Sequence, residues 1–337
     1  MDDPSTGETR SCVVVGAGIS GLLAARELQA AGWRVVVLER QRGVGGRMAT
    51  HRLGKGTFDH GAQFFTVRSE RFGRLVDGWL QAGVVREWTR GFADAKGRRN
   101  DDGYPRYRGS QGMTSVPRHL AHDLDVRTAE SAMEVHVRNG VWEVLTESGA
   151  RETGAALLLT APVPRSLALA GSGNFALPED ARRRLERISY DPCLALMALV
   201  DGPTGVPEPG GMQINDEPLD WIGDNRRKGI SEASGITVHA GPKWSREHFE
   251  TDEEEITASL LSLAAERLGP NLLRRVVDTS LTRWQYSWVS RAHPDPCLLI
   301  SEDPPLVFGG DAFGGAKVEG AALSGLAAAD LLLARGG

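Results

Sequence analysis

Cysteine is scarce: Cys12, Cys193 and Cys297 are the only three in 337 residues. An odd count with no CxxC pair and no metal-ligand spacing argues against a disulfide framework and for a reducing compartment. Any apolar run of about 18 residues is missing too, so no membrane span is expected. The opening MDDPSTGETR is acidic and polar, without the apolar core of a secretory signal. The apolar tail, 321–334, is broken by Ser324 and Asp330 and reads as a packed helix. No charge of one sign dominates: 39 basic against 44 acidic residues give a net charge of −5. Basic runs such as Arg226-Arg227-Lys228 are short, so a nucleic-acid surface is not expected. Internal repeats and low-complexity tracts are also lacking. What remains is a cytoplasmic chain, long enough for two domains and for a core that needs no staples.

What is present begins with VVVGAGISG. Cys12–Val15 is a short β-branched strand. Residues 20–31 carry helical spacing (Leu22, Leu23, Ala25, Leu28) up to Gly32, and Trp33–Glu39 is a second buried strand. Strand, helix and strand within about 30 residues form a right-handed βαβ unit in a parallel sheet. Gly16, Gly18 and Gly21 make GxGxxG between strand and helix. The first permits the tight turn, the second lets a pyrophosphate approach the backbone, and the third lets the helix pack closely. Ile19 and Ser20 sit at the helix N-terminus, where N–H groups and partial positive charge favour phosphate. Glu39 ends the second strand, placed to accept both hydroxyls of an adenosine ribose.

Further on, helices are expected near 70–82, 114–124 and 178–188. A hairpin and a return strand are expected over 125–160, and strands at 193–200 and 235–240. Thr251 with Glu254 reads as a capping box before another helix. Gly202–Gly211 reads as a connection.

FAD and NAD both use a GxGxxG turn. Gly45-Gly46-Arg47 follows Glu39 and Arg40 closely, with Met48 after it, and an arginine there can reach a pyrophosphate bidentately. An acid ending the second strand followed by GGR resembles the flavin amine oxidase superfamily. The late Gly309-Gly310-Asp311 resembles the strand end that brings an acid to the ribityl or pyrophosphate of such flavoproteins. The helix after it, near Lys317, Val318, Glu319 and Ala321, would aim its N-terminus at the flavin pyrimidine and stabilise negative charge there. No second GxGxxG occurs, so a separate NAD(P)H domain is not expected. No flavin-linking residue is evident, so FAD is expected to be noncovalent.

Over residues 11–334 the chain resembles the renalase family, especially its bacterial members. The matching pieces are GAGISG, GGRM, FDHGAQFF, GMTSVPRHLA, LLLTAPVP, DNRRKG, VHAGPKWSREHFE, RWQYS and GGDAFGGAKVEGAALSG. Ser110 and Ser287 depart from the family's habit, at minor positions. The resemblance implies hydride removal from the 2- and 6-dihydro isomers of NAD(P), giving NAD(P)+ and, after reoxidation by O2, hydrogen peroxide. Such a ring becomes aromatic on losing hydride, so no general base is obligatory, only placement near the flavin.

Gly61, Ala62, Gln63 and Phe64 are the implied flavin-ring contacts, with core packing the alternative for Phe64 and the favoured reading of Phe65. Asn225 and His239 match family positions on the substrate side, with a satisfied core histidine the alternative for His239. Trp284 and Tyr286 alternate on one strand face and could wall the ring or simply pack. Trp244 and His248 read as structural. Lys317 could offset an anionic flavin or be solvated.

An amine oxidase is the runner-up. It would want an aromatic cage and usually a lysine near the flavin, and none of the five lysines stands in an obvious cage context. A biosynthetic desaturase or oxidase is the second alternative, against which the charged stretch DEPLDWIGDNRRKG argues. A non-enzymatic use of FAD is the third.

The expected fold is α/β (α+β): a Rossmann-type FAD-binding domain with an interleaved mixed-sheet substrate domain, in flavin amine oxidase-like (p-hydroxybenzoate hydroxylase-like) topology. The FAD domain is expected at 1–72, 108–168 and 292–337, and the substrate domain at 73–107 and 169–291. The expected partners are a dihydronicotinamide nucleotide and O2, with no nucleic acid and no membrane, in a monomer or weak homodimer.

Overall fold

The β-branched run Ser11–Val15 forms a strand whose Val13 and Val14 are inaccessible to water. Val13 pairs in parallel with Val36 of Arg34–Glu39 on one side and with Leu157 of Ala156–Leu159 on the other. A strand held this way has no polar face, which is why it reads as a continuous apolar run. The coordinates are a computed structural model that describes residues 10–335. The stretch 1–9, read above as carrying no secretory signal, lies outside the described residues. Among the described residues no helix is long and apolar enough to cross a membrane.

The chain divides into two units interleaved in sequence. The first takes the described residues of Met1–Gly46, Leu120–Ile188 and Ala292–Gly337. Its six-stranded sheet runs Leu298–Glu302, Pro305–Phe308, Ala156–Leu159, Ser11–Val15, Arg34–Glu39, Asp125–Thr128. Every pairing is parallel except that of Leu298–Glu302 with its neighbour. The helix Ile19–Ala30 buries Leu22, Leu23, Ala25 and Leu28 and packs against the C-terminal helix Lys317–Arg335. A Cβ at Gly325 would lie 2.1 Å from the Ser20 carbonyl oxygen, so only glycine lets these helices approach. The expected hairpin is a three-stranded antiparallel sheet, Ala132–Arg138, Val141–Thr146 and Arg151–Gly154.

The second unit takes Arg47–His119 and Ser189–Arg291. Its seven-stranded mixed sheet runs Val276–Arg291, Ser189–Val200, Gly235–Ala240, Leu219–Asp224, Gly211–Asp216, Val85–Ala93, Arg99–Gly109. One face supplies Leu194, Leu196, Ile222, Ile236 and Val238 to a core closed by Ile256, Leu260 and Ala264 of the helix Glu253–Leu268. Side chains alternate along a strand. The register therefore turns Ala195, Trp221, Gly223, Thr237, His239, Thr282 and Trp284 to the opposite face.

Three expectations change. The helix Glu253–Leu268 is capped by Asp252, whose carboxylate accepts the Glu254 N–H at 2.9 Å, not by Thr251. Gly211–Asp216 and Leu219–Asp224 are strands, in a stretch that was read for its charge and assigned no element. Residues 47–72 and 108–119 group with the second unit and 169–188 with the first, unlike the division drawn from sequence. The reasons are local. Thr50 and Asp59 are hydrogen-bonded to Thr114 and Met113, and Phe65 pairs with Tyr107. In the first unit Phe175 packs edge-on against Trp142, and Arg184 pairs with Asp295.

Candidate active site

In the first unit the glycine turn has the shape its sequence implies. Gly16 adopts φ +111°, and a Cβ at Gly21 would sit 2.1 Å from the Gly16 carbonyl oxygen. A Cβ at Gly18 would meet nothing within 4 Å, so the ground before the helix is open. Gly18 is the helix N-cap and provides no side chain to bond the first N–H groups. Ser20, beside it, is buried and its Oγ has no hydrogen-bond partner. Orphaned helix N–H groups and an unpaired buried hydroxyl ask for an acceptor, which a pyrophosphate supplies. Gly46, at φ +53°, comes within 3.9 Å of Gly18 Cα at its would-be Cβ.

Glu39 closes the cradle's other side. Its Oε2 accepts the Ala17 N–H at 2.9 Å and its Oε1 the Gln41 N–H at 2.8 Å. Burial pushes its pKa up, and those two N–H groups act the other way. Each oxygen keeps a lone pair, as a ribose diol requires. Arg40 is exposed. In the same unit Gly310 N–H donates to Ser324 Oγ at 2.9 Å, fixing Gly310-Asp311 ahead of the helix Lys317–Arg335. That helix starts at Lys317, which is exposed and strained at φ +78°; Val318 and Ala321 are buried, and Glu319 stands in the first turn.

In the second unit the loop FDHGAQ is built around Asp59, which is wholly buried. Its Oδ1 accepts from Thr50 Oγ1 at 2.6 Å and Met113 N–H at 2.8 Å, and its Oδ2 from Lys228 Nζ at 2.6 Å. Its carbonyl accepts from Thr237 Oγ1 at 3.0 Å and Gln63 Nε2 at 2.6 Å. Lys228 is buried as well, 5.1 Å above the Trp88 ring. Burial pushes its pKa down and the Asp59 carboxylate opposes this. No aromatic context for Lys228 is visible along the chain; the fold supplies one in Trp88, and commits the ammonium to Asp59.

The candidate substrate residues separate into two kinds. Asn225 is occupied inside the protein: Oδ1 accepts the Asp59 N–H at 3.2 Å and Nδ2 donates to Thr237 Oγ1 at 2.9 Å. Trp284 donates from Nε1 to the His60 carbonyl at 2.9 Å, with the two rings 5.0 Å apart. The Tyr286 ring packs edge-on to Tyr190, and its carbonyl accepts from Arg47 Nη1 at 3.1 Å. One arginine nitrogen expected at a phosphate is therefore engaged here. Met48 is buried, and Arg47 also holds the loop, its carbonyl accepting the Ala62 N–H at 2.8 Å. A Cβ at Gly61 would lie 2.1 Å from that oxygen. Phe64 packs on Phe92 at 4.9 Å and Phe65 lies in the core against Phe72 and Tyr107. Trp244 stacks on His248, as a structural pair.

Four buried side-chain polar atoms among the described residues of this unit lack a partner: Arg106 Nε, Gln63 Oε1, Trp221 Nε1 and His239 Nε2, the last three on or beside the sheet face opposite the core. Each such group costs on the order of 1–3 kcal/mol when left unmade. His239 is drawn down to about 4, chiefly by burial, with the His60 main chain opposing. His60 is also drawn down to about 4, by burial and then by His51. Trp221 was not anticipated. Its signal was the alternation Trp221, Ile222, Gly223 inside a segment that is charged on average, with Leu219 turned into the core ahead of a register shift.

The flavin containing amine oxidoreductase family matches residues 67–333, and an NAD(P)-binding Rossmann-like domain matches 14–79. The chain belongs to the flavin containing amine oxidoreductase family. FAD is its cofactor, and the open turn, uncapped helix and unpaired Ser20 hydroxyl of the first unit fit it. The chain is 25% identical to renalase from mouse over 95% of its own length and 98% of that protein's. An L-amino acid dehydrogenase from Synechocystis is 40% identical over 67 residues, which is 20% of this chain and 14% of that one. Among solved structures, a putrescine oxidase shares the fold at a TM-score of 0.74 and 18% identity, covering 97% of this chain and 99% of its own. This flavoprotein is an oxidoreductase of renalase-like build.

Proposed function

We propose that the protein oxidises the 2- and 6-dihydro isomers of NAD(P) to NAD(P)+. FAD, when bound, supplies the two-electron acceptor, and O2 with one solvent proton carries the hydride away as hydrogen peroxide. The observation that carries this reading is a buried polar face whose histidines carry no charge: His60 and His239 are drawn to about 4 and are neutral at pH 7. Such a face positions a ring by hydrogen bonds and does not repel the pyridinium cation that forms. Loss of hydride makes the ring aromatic, so no proton need be taken from it. We assign FAD binding to the first unit's turn, with Gly16, Gly18, Ser20 and Glu39 as its principal contacts. Gln63, His239 and Trp284 face the substrate in this proposal. Asn225 is a positioning residue, holding Asp59 and Thr237 behind them. The full-length likeness to renalase supports the same substrate class.

The test is anaerobic bleaching of the flavin by separated 2-, 4- and 6-dihydro-NAD. Fast bleaching by the 2- or 6-isomer, and not by the 4-isomer, is the expected result. The limiting rate should be flat above about pH 6 and fall as the pH approaches 4, because protonation of His239 then places a cation beside the developing one. A panel of amines is included because Lys228 lies beside Trp88, a feature amine oxidation could use. Bleaching by amines alone would transfer the protein to that chemistry.

His239→Ala should retain the flavin and weaken substrate binding or slow its reduction by about 10-fold, the range for one lost hydrogen bond in a buried site. Unchanged reduction kinetics would make His239 a core residue.

A further inference from the structure

We propose that Trp221 and Gln63 form a clamp for an amide group, the indole N–H donating to its oxygen and Gln63 Oε1 accepting from its N–H. Both side chains are more than nine-tenths buried, at 4% and 7% exposure, and both polar atoms lack a partner. They flank one place. A Cβ at Gly223 would stand 2.8 Å from Trp221 Nε1 and 3.4 Å from Gln63 Oε1. The two polar atoms are therefore no more than 6.2 Å apart (2.8 plus 3.4), and Gly223 puts no side chain in front of them, so one planar ligand group can meet both. His239, directly across from Trp221 in the strand register, adds the third unpaired atom, Nε2.

The two ends are fixed in direction. Gln63 Nε2 donates to the Asp59 carbonyl at 2.6 Å and the Gly61 carbonyl at 3.2 Å, which leaves Oε1 as the presented end. The Trp221 ring is wedged edge-on against Phe92 at 4.8 Å, and a Cβ at Gly211 would come 2.6 Å from its Cη2. A fixed donor beside a fixed acceptor selects the reverse pair on a ligand, N–H beside C=O. A carboxylate meets Gln63 Oε1 with a second acceptor. An acetyl group leaves Oε1 unpaired. A site built around hydrogen bonds discriminates strongly against a ligand that cannot complete them.

Two ligands carry this chemistry. One is the carboxamide of a nicotinamide nucleotide, which rests on the function proposed above. The other is the pyrimidine edge of the flavin itself. The experiment uses the holoenzyme and two variants. Trp221→Phe keeps an aromatic ring and removes the N–H; Gly223→Ala sets a methyl against Trp221 Nε1 and Gln63 Oε1. Titration calorimetry reads the binding of NAD+, nicotinic acid adenine dinucleotide and 3-acetylpyridine adenine dinucleotide, while flavin absorbance, reduction potential and FAD dissociation are read in parallel.

If the carboxamide is held, the unmodified protein prefers NAD+ to the carboxylate analogue by about 100-fold. Trp221→Phe then weakens NAD+ by about 10-fold and leaves the flavin signals in place. If the pyrimidine edge is held, both variants shift the potential and speed FAD loss, and nucleotide preference does not change. Both sets of signals staying within about twofold in both variants overturns the clamp. Failure of every dihydronicotinamide to bleach the unmodified protein removes the proposed function and the carboxamide source together, and the flavin signals still decide the clamp.

Discussion

Lys228→Met is expected to destabilise the protein by about 3–5 kcal/mol, because it leaves the Asp59 carboxylate buried without its cation. The corresponding fall in Tm is on the order of 10 °C. Asp59 is 0% exposed and Lys228 2%, and their 2.6 Å pair buries two opposite charges together. Surface pairs such as Arg74–Glu70 contribute little by comparison, being solvated on both sides. The second variant makes the result diagnostic. Asp59→Asn with Lys228→Met removes both charges, and should be more stable than Lys228→Met alone. Recovery is partial: the Asn Oδ1 can still accept from Thr50 Oγ1 and the Met113 N–H, but its Nδ2 is a donor where Asp59 has an acceptor, and it faces the methionine without a partner. Denaturant unfolding of the four proteins in the cycle gives the coupling directly. A cost below about 1 kcal/mol for Lys228→Met would mean that the pair is hydrated in solution. The same substitution loosens the loop that carries His60 and Gln63, so slower flavin reduction should accompany the lost stability.

How much of this was legible beforehand follows from the range of each interaction. Gly16, Gly18, Gly21 and Glu39 announce a nucleotide fold because their constraints are local: a turn, an approach, a helix contact and a strand end, all within one βαβ unit. The alternation that puts Trp284 and Tyr286 on one strand face is also local and was readable, whereas His239 joins that face only through the register of both strands with Ser189–Val200. Asp59, by contrast, gains its meaning from Lys228, 169 residues away, and from Met113, 54 away. No spacing rule links them. Asn225 was expected on the substrate side, yet its amide is occupied by Asp59 and Thr237, since hydrogen-bond partners are set by packing across strands. Trp221 was hidden because DEPLDWIGDNRRKG looks charged on average while its central six residues form a buried strand. The division into units shifted at 47–72 for a similar reason: a hairpin short in sequence joins whichever sheet its side chains bond.

Glu39→Arg is expected to yield a folded, colourless protein. The strand Arg34–Glu39 is held by parallel partners on both sides, so its backbone does not depend on the Glu39 side chain. The turn does. Glu39 holds the Ala17 N–H at 2.9 Å, between Gly16 and Gly18, and presents its remaining lone pairs outward. Arginine has no acceptor, so the Ala17 N–H loses its partner and the ribose hydroxyls lose theirs. It also brings a longer, charged chain into a position that is 7% exposed. Affinity for FAD should fall at least about 100-fold, which is roughly 2.7 kcal/mol. Glu39→Gln separates charge from geometry. It keeps one acceptor and replaces the other with a donor, so a partial loss near 10-fold, about one hydrogen bond, is expected. Flavin absorbance per protein after gel filtration, followed by reconstitution with added FAD, measures both, and circular dichroism confirms the fold. A Glu39→Arg protein that purifies fully yellow would show that the ribose is held elsewhere, and would move the adenosine contacts to groups other than the end of this strand.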